Sequence, residues 1–346
     1  MRINLFQHSG NVLFLALSLI LILQLNAAAQ WQRQLVETKA SLRGLSVVNE
    51  KVIWASGTGG TFLKTIDGGK TWKVGTVRGA EKLDFRDVEA FDENTAYLLS
   101  IGEGENSRIY KTVDGGATWK LQFKNTNPKA FFDAIAFWDR NNGIAMSDPV
   151  DGKYVLISTM DGENWKPVGT DKMPPAKEGE AAFAASGTCL IVYGKTDVFL
   201  VSGGTDARVF RSHNRGLSWF VADTPMIKGT SGSGIFSMAM SDSKNGVIAG
   251  GNYEKPNDVT NNLALTNNGG KIWTLGKGLN GYRSGVAFVD KKTIIAVGSS
   301  GSDISRDAGK TWTNLDKENY NAVQAKGRNA IWAVGASGIV AKLLLK

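Results

Sequence analysis

Three arginines, three acids and a tyrosine stand where their types and spacing invite chemistry. Arg43, Arg86 with Asp87, Asp133, Glu180, and Tyr282 with Arg283 each sit at the head of a short apolar segment, and Asn321 heads a last one. Guanidinium groups grip carboxylates through forked, bidentate hydrogen bonds. Arg43, Arg86 and Arg283 are therefore candidates to bind a carboxylate-bearing ligand or partner. Tyr253 and Lys255, in the long polar stretch "GGNYEKPNDVTNN", are within reach of the same place. Asp148 and Asp151, in "SDPVDGKY", are further loop candidates. The alternative chemistry is glycoside hydrolysis, which needs a pair of carboxyl groups. Its catalytic candidates are Asp87, Asp133, Glu180 and Tyr282.

Other chemistries are excluded by residue supply. The chain has two histidines, His8 in the N-terminal leader and His213 in a turn. A Ser-His-Asp triad and a His/Cys zinc site both lack their parts. The one cysteine, Cys189, lies in "TCLIVYG" and reads as a small buried hydrophobe. "GTGGTF" is glycine-rich but leads into a strand pattern, not a helix N-terminus, so it is no phosphate loop. No cofactor and no metal are expected.

The elements that must position these residues are repeats. Six near-copies of one motif occur: "KTIDGGKTW", "KTVDGGATW", "STMDGENW", "RSHNRGLSW", "LTNNGGKIW" and "ISRDAGKTW". They end at Trp72, Trp119, Trp165, Trp219, Trp273 and Trp312, at intervals of 47, 46, 54, 54 and 39 residues. Periods in this range mark a propeller or similar array. Each copy follows the same order: an alternating segment ("LRGLSVV", "FRDVEAF", "FFDAIAF", "AAFAASG", "IFSMAMS", "RSGVAFV"), a strand ending in Gly, a third strand, then the turn and its Trp. That order predicts four short strands per unit. A seventh unit opens at "YNAVQAK" and stops before any such turn, while "WQRQLVE" near the N-terminus resembles the missing fourth strand. The fold expected is all-β: a single seven-bladed propeller of four-stranded antiparallel blades, its last blade closed by the N-terminal strand, leaving no open sheet edge. Up-and-down blades put the repeated turns on one face and the heads of the innermost strands around the channel on the other.

In the motif, Asp accepts bonds from main-chain amides, Gly supplies positive φ, and the Trp packs back against the sheets. This is the Asp-box, or BNR repeat, and the chain resembles Asp-box propellers over residues 30–346. Its structural residues are Asp67, Trp72, Asp114, Trp119, Asp161, Trp165, Trp219, Trp273, Asp307 and Trp312. Asn214 and Asn268 replace Asp in two copies, a drift that suits scaffold. The nearer resemblance is to the photosystem II stability and assembly factor-like propellers. It implies an exported, single-domain protein that binds a partner through an arginine-rich face, with Arg43, Arg86 and Arg283 at the positions matching that patch. A more distant resemblance is to sialidases, which use an arginine cluster, a Tyr with a Glu partner and an acid. Here the Arg-Ile-Pro motif of that family is missing.

Residues 1–29 read as a signal peptide. "VLFLALSLILILQL" is followed by "NAAAQ", with small residues at Ala27 and Ala29, so cleavage is expected before Gln30. Without Arg2 the chain carries 39 Lys and Arg against 32 acids, scattered and not in runs. A periplasmic or secreted, moderately basic monomer is expected, taking a protein, glycan or carboxylate partner, with no nucleic acid and no membrane span after cleavage.

Overall fold

A computed structural model describes residues 29–345. The expected signal peptide lies outside the described residues except for Ala29. The chain forms seven antiparallel blades around a central channel. Blade 1 comprises strands Leu42–Val47, Ile53–Gly57, Thr61–Thr65 and Lys73–Thr76, and blade 2 Asp84–Ala90, Ala96–Ile101, Arg108–Thr112 and Lys120–Lys124. The inner strands are buried on both faces, because each blade is sandwiched between two others. Phe132–Phe137 of blade 3 is covered almost throughout, whereas the outermost Lys120–Lys124 of blade 2 is mostly exposed.

The ring closes as expected. Tyr320–Ala325, Ile331–Gly335 and Val340–Leu344 supply three strands of blade 7, and Gln30–Arg33 supplies the fourth, pairing Gln30 with Leu344 and Arg33 with Ala341. Core clusters lie between neighbouring blades. Leu45, Ile53 and Leu63 of blade 1, for example, pack with Trp332 and Val340 of blade 7.

Five of the six repeated turns share one main-chain hydrogen-bond pattern, and the shorter third copy contracts it, with Asp161 Oδ1 accepting from Glu163 N and Asn164 N (both 2.8 Å). Asp67 Oδ1 accepts from Thr65 Oγ1 (2.8 Å) and Thr71 N (2.9 Å), its Oδ2 accepts from Thr71 Oγ1 (2.6 Å), and Thr65 Oγ1 accepts from Gly69 N (3.0 Å). Asn214 and Asn268 do the same work through Oδ1, which accepts from Ser218 N and Ile272 N. An amide oxygen suffices because the bond needs an acceptor, not a charge. The Trp that follows packs back on the preceding blade: Trp72 meets Trp332 edge-on at 5.6 Å, and Trp119 meets Trp54 and Phe62 at 6.2 and 5.1 Å.

Blade 4 departs from the expected frame. Its innermost strand is Leu190–Tyr193, not "AAFAASG". Glu180 and Ala181 instead form a two-residue strand on Gly203–Gly204, extending blade 5. The segment 182–188 leaves the sheet altogether. Apart from Phe183 its residues are small, which eases its close approach to the inner strands.

Candidate functional site

In five blades the innermost strand is bulged at one equivalent point. Register slips between Leu42 and Gly44, Phe85 and Asp87, Phe132 and Ala134, Ile235 and Ser237, and Tyr320 and Ala322. The residues skipped are Arg43, Arg86, Asp133, Phe236 and Asn321. A bulge turns its extra residue out of the ladder and re-aims the side chain. All five line one cavity of about 530 Å³ at the channel mouth, together with Tyr253, Tyr282, Ser284, Asp148 and Phe183.

The 182–188 segment forms one wall of this cavity. It touches Asp148 of blade 3 (Ala182 N donates to Oδ1, 2.7 Å), Arg86 of blade 2 (Nη1 to Ala184 O, 3.3 Å) and Arg43 of blade 1 (Nη1 to Ala185 O, 3.2 Å). Ser186 Oγ donates to Ser284 O (2.7 Å), just before the inner strand of blade 6, and Thr188 shares a hydroxyl bond with Ser237 of blade 5 (2.6 Å). Only a segment inside the ring can reach so many blades. At Gly187, φ is +76°, and an added Cβ would lie 2.3 Å from Asp87 Oδ1. Glycine is required there twice over, for backbone and for space.

Arg43 and Arg86 are brought together. Arg86 Nε also donates to Asp84 Oδ2 at 2.8 Å. Arg43 makes no ion pair with any described residue; its protein hydrogen bond goes to a neutral carbonyl. Burial first, and then the charge of Arg86, weaken its hold on its proton. A partly buried cation without a direct ion pair favours an anion from outside. Across the cavity Phe183 and Phe236 stack at 3.8 Å, Tyr282 stands edge-on to Phe236 at 4.7 Å, and Tyr253 is about half exposed at the rim.

Asp133 and Asp148 form a pair of acids in the same cavity. Asp133 is 1% exposed, and its Oδ2 has no hydrogen-bond partner. Burial and then the neighbouring Asp148 push Asp133 well above the usual carboxylate range, while Arg86 pulls the other way. Burial pushes Asp148 up to about 6.

The remaining sequence candidates stand elsewhere. Arg283 is a correction. It lies one residue before the cavity-lining position, which Ser284 takes, and a one-residue offset turns a side chain to the other face. Its guanidinium is fully buried against Asp303, with Nε donating to Oδ2 at 2.8 Å. Glu180 is also displaced: it is buried against Arg208, whose Nε donates to its Oε1 at 2.9 Å. Asp87 is a stitch between blades, accepting from Val88 N (2.9 Å) and Ile135 N (2.8 Å). Lys255 and Asp151 are exposed away from the cavity, and Asp151 meets Lys129. Burial pushes the Tyr282 phenol up, which keeps it protonated and ill suited to act as a nucleophile. Cys189 is buried. Among the described residues no group of three or more His, Cys, Asp or Glu is placed to hold a metal ion. Sequence reasoning missed Phe183 and Phe236. The signal for Phe236 was its register with Arg43 and Arg86 in "IFSMAMS".

No protein-family model and no curated protein matches the chain. Among solved structures it is similar to "YCF48 bound to D1 peptide", at 16% identity over 92% of this chain and 96% of that one, TM-score 0.68. It is similar to YCF48 from Cyanidioschyzon merolae at 20% identity, over 91% and 99% of the two chains, TM-score 0.58. A GH74 enzyme from Niastella koreensis matches at 14% identity over 90% of this chain and 53% of its own, TM-score 0.60. At these identities the likeness establishes the fold. The site must be argued from its own residues.

The buried acids set a pH dependence. In the unfolded chain they ionise near the ordinary carboxylate pKa of about 4. In the fold, burial holds a proton on Asp148 up to about 6 and on Asp87 up to about 7. Folding then binds protons, so stability falls as pH rises from about 4 to about 7. The turn aspartates act in the opposite sense only at lower pH: Thr71 and Thr118 hold Asp67 and Asp114 at about 2. A melting temperature several degrees higher near pH 5 than near pH 8 is expected in calorimetry. A curve flat across that range would show that the buried acids ionise freely.

Proposed function

We propose that this is an exported Asp-box propeller that binds a carboxylate-bearing partner, an acidic peptide above all, in the cavity between Arg43 and Arg86. The observation that carries this reading is Arg43: a partly buried guanidinium with no ion-pair partner among the described residues, beside a second guanidinium, in a cavity with aromatic walls. Two arginines side by side suit a forked grip on one carboxylate. The arginine face of the photosystem II assembly factor-like propellers, and the peptide in the similar YCF48 structure, support it as analogy. Export to the periplasm or beyond rests on the leader at residues 1–29. N-terminal sequencing of the native protein tests it, with Gln30 expected first.

The binding test uses a labelled acidic peptide and fluorescence anisotropy. A charge-assisted hydrogen bond contributes about 1.5–3 kcal/mol, so Arg43→Ala and Arg86→Ala should each weaken binding about 10- to 100-fold. The loss should shrink in high salt, since the cavity is open to solvent. Unchanged affinity in both variants would end the proposal.

One observation favours a second reading, a glycoside hydrolase. Asp133 and Asp148 are two carboxyl groups in one cavity, both raised above the usual range, as a general acid must be. A glycoside panel decides it: reproducible turnover that is lost in Asp133→Asn, with folding intact, would promote hydrolysis over binding.

A further inference from the structure

The cavity is not simply cationic. Arg43 and Arg86 lie on one side, Asp133 stands between Arg86 and Asp148 on another, and Phe236 and Tyr253 are among the aromatic residues that border the rest. A ligand bearing only a carboxylate meets two opposing demands. The guanidinium groups attract it, and Asp148, which ionises above about pH 6, repels it. It also leaves Asp133 Oδ2 buried without a donor, a costly state for a polar atom.

We infer that the ligand is amphoteric, an α-amino acid with a large apolar or aromatic side chain. Its carboxylate sits on Arg43 and Arg86, its ammonium on Asp133 and Asp148, and its side chain against Phe236 and Tyr253. The inference rests on the reading that the two arginines grip a carboxylate, and it adds a donor at the acid pair. Placing the ammonium there turns the repulsion into attraction and supplies the missing hydrogen bond. Carboxylate and ammonium on one carbon match a site whose opposite charges adjoin, and complementary potentials of this kind give specificity. The volume, about 530 Å³, falls in the range of small-molecule sites. Asp133 is thereby the residue that distinguishes an amino acid from a plain organic anion.

Calorimetric titration of the protein with three probes tests this: L-phenylalanine, 3-phenylpropanoate, which lacks the amine, and phenethylamine, which lacks the carboxylate. L-Phenylalanine should bind about tenfold more tightly than either single-charge probe. In Asp133→Asn its advantage over 3-phenylpropanoate should fall toward one, and where that variant does not fold, Asp148→Asn reads the same ratio. Equal or tighter binding of 3-phenylpropanoate overturns the inference, as does an advantage that survives both substitutions. If the acidic peptide binds and L-phenylalanine does not, the amphoteric ligand is wrong and the carboxylate site stands. If neither binds, both fail.

Discussion

Arg283→Ala should destabilise the protein by about 3–5 kcal/mol, the cost of breaking one partner out of a buried ion pair. Arg283 and Asp303 are both fully buried. The guanidinium also donates to Tyr282 O (2.8 Å) and Ser300 Oγ (2.7 Å), and Asp303 Oδ1 accepts from Asn280 Nδ2 (2.8 Å). Removing the arginine strands a carboxylate that no water reaches. Urea denaturation measures the loss, and the double variant Arg283→Met/Asp303→Leu should recover much of it, because two apolar groups need no partners. The surviving folded Arg283→Ala protein should bind the acidic peptide as before. A variant of wild-type stability with weakened binding would return Arg283 to the site.

Trp119→Ala should cost about 3 kcal/mol, the lower end for an aromatic truncated to alanine, since Trp119 is only partly buried. Its ring fills the seam against Trp54 and Phe62 of the neighbouring blade. The turn that delivers it should persist, because Asp114 keeps its bonds to Thr112 and Thr118. The loss should therefore appear as a lower melting temperature with ligand affinity unchanged in the folded fraction. A melting temperature equal to wild type would mean that the seam closes without the indole.

The propeller was legible because its causes are local and repeated. A Thr or Ser, an Asp or Asn two residues on, a Gly at positive φ and a Trp make one turn wherever they occur. The strand pattern around each copy counts the blades. The missing fourth strand of the last unit and the spare N-terminal strand could only be satisfied by each other. Arg43 and Arg86 were legible as well, since both head an inner strand. Glu180 and Arg283 were misplaced for different reasons. Around Glu180, a run of small apolar residues imitates a strand, while pairing with Gly203 and Gly204 draws the chain onto the sheet of blade 5. At Arg283 the pattern tolerates a one-residue shift, and burial beside Asp303 decides it.

The sequence by itself determined the blade count, the closure and the scaffold role of the repeated turns, because hydrogen bonds within a few residues and strand periodicity decide them. Only the tertiary structure decided which polar side chains share the cavity. Bulges fix where Arg43, Arg86, Asp133, Phe236 and Asn321 point, and a bulge depends on the partner strand as much as on its own residues. The 182–188 segment inside the channel, and the adjacency of Asp133 to both Arg86 and Asp148, follow from ring closure, which brings together residues far apart in the chain whose pairing no local pattern records.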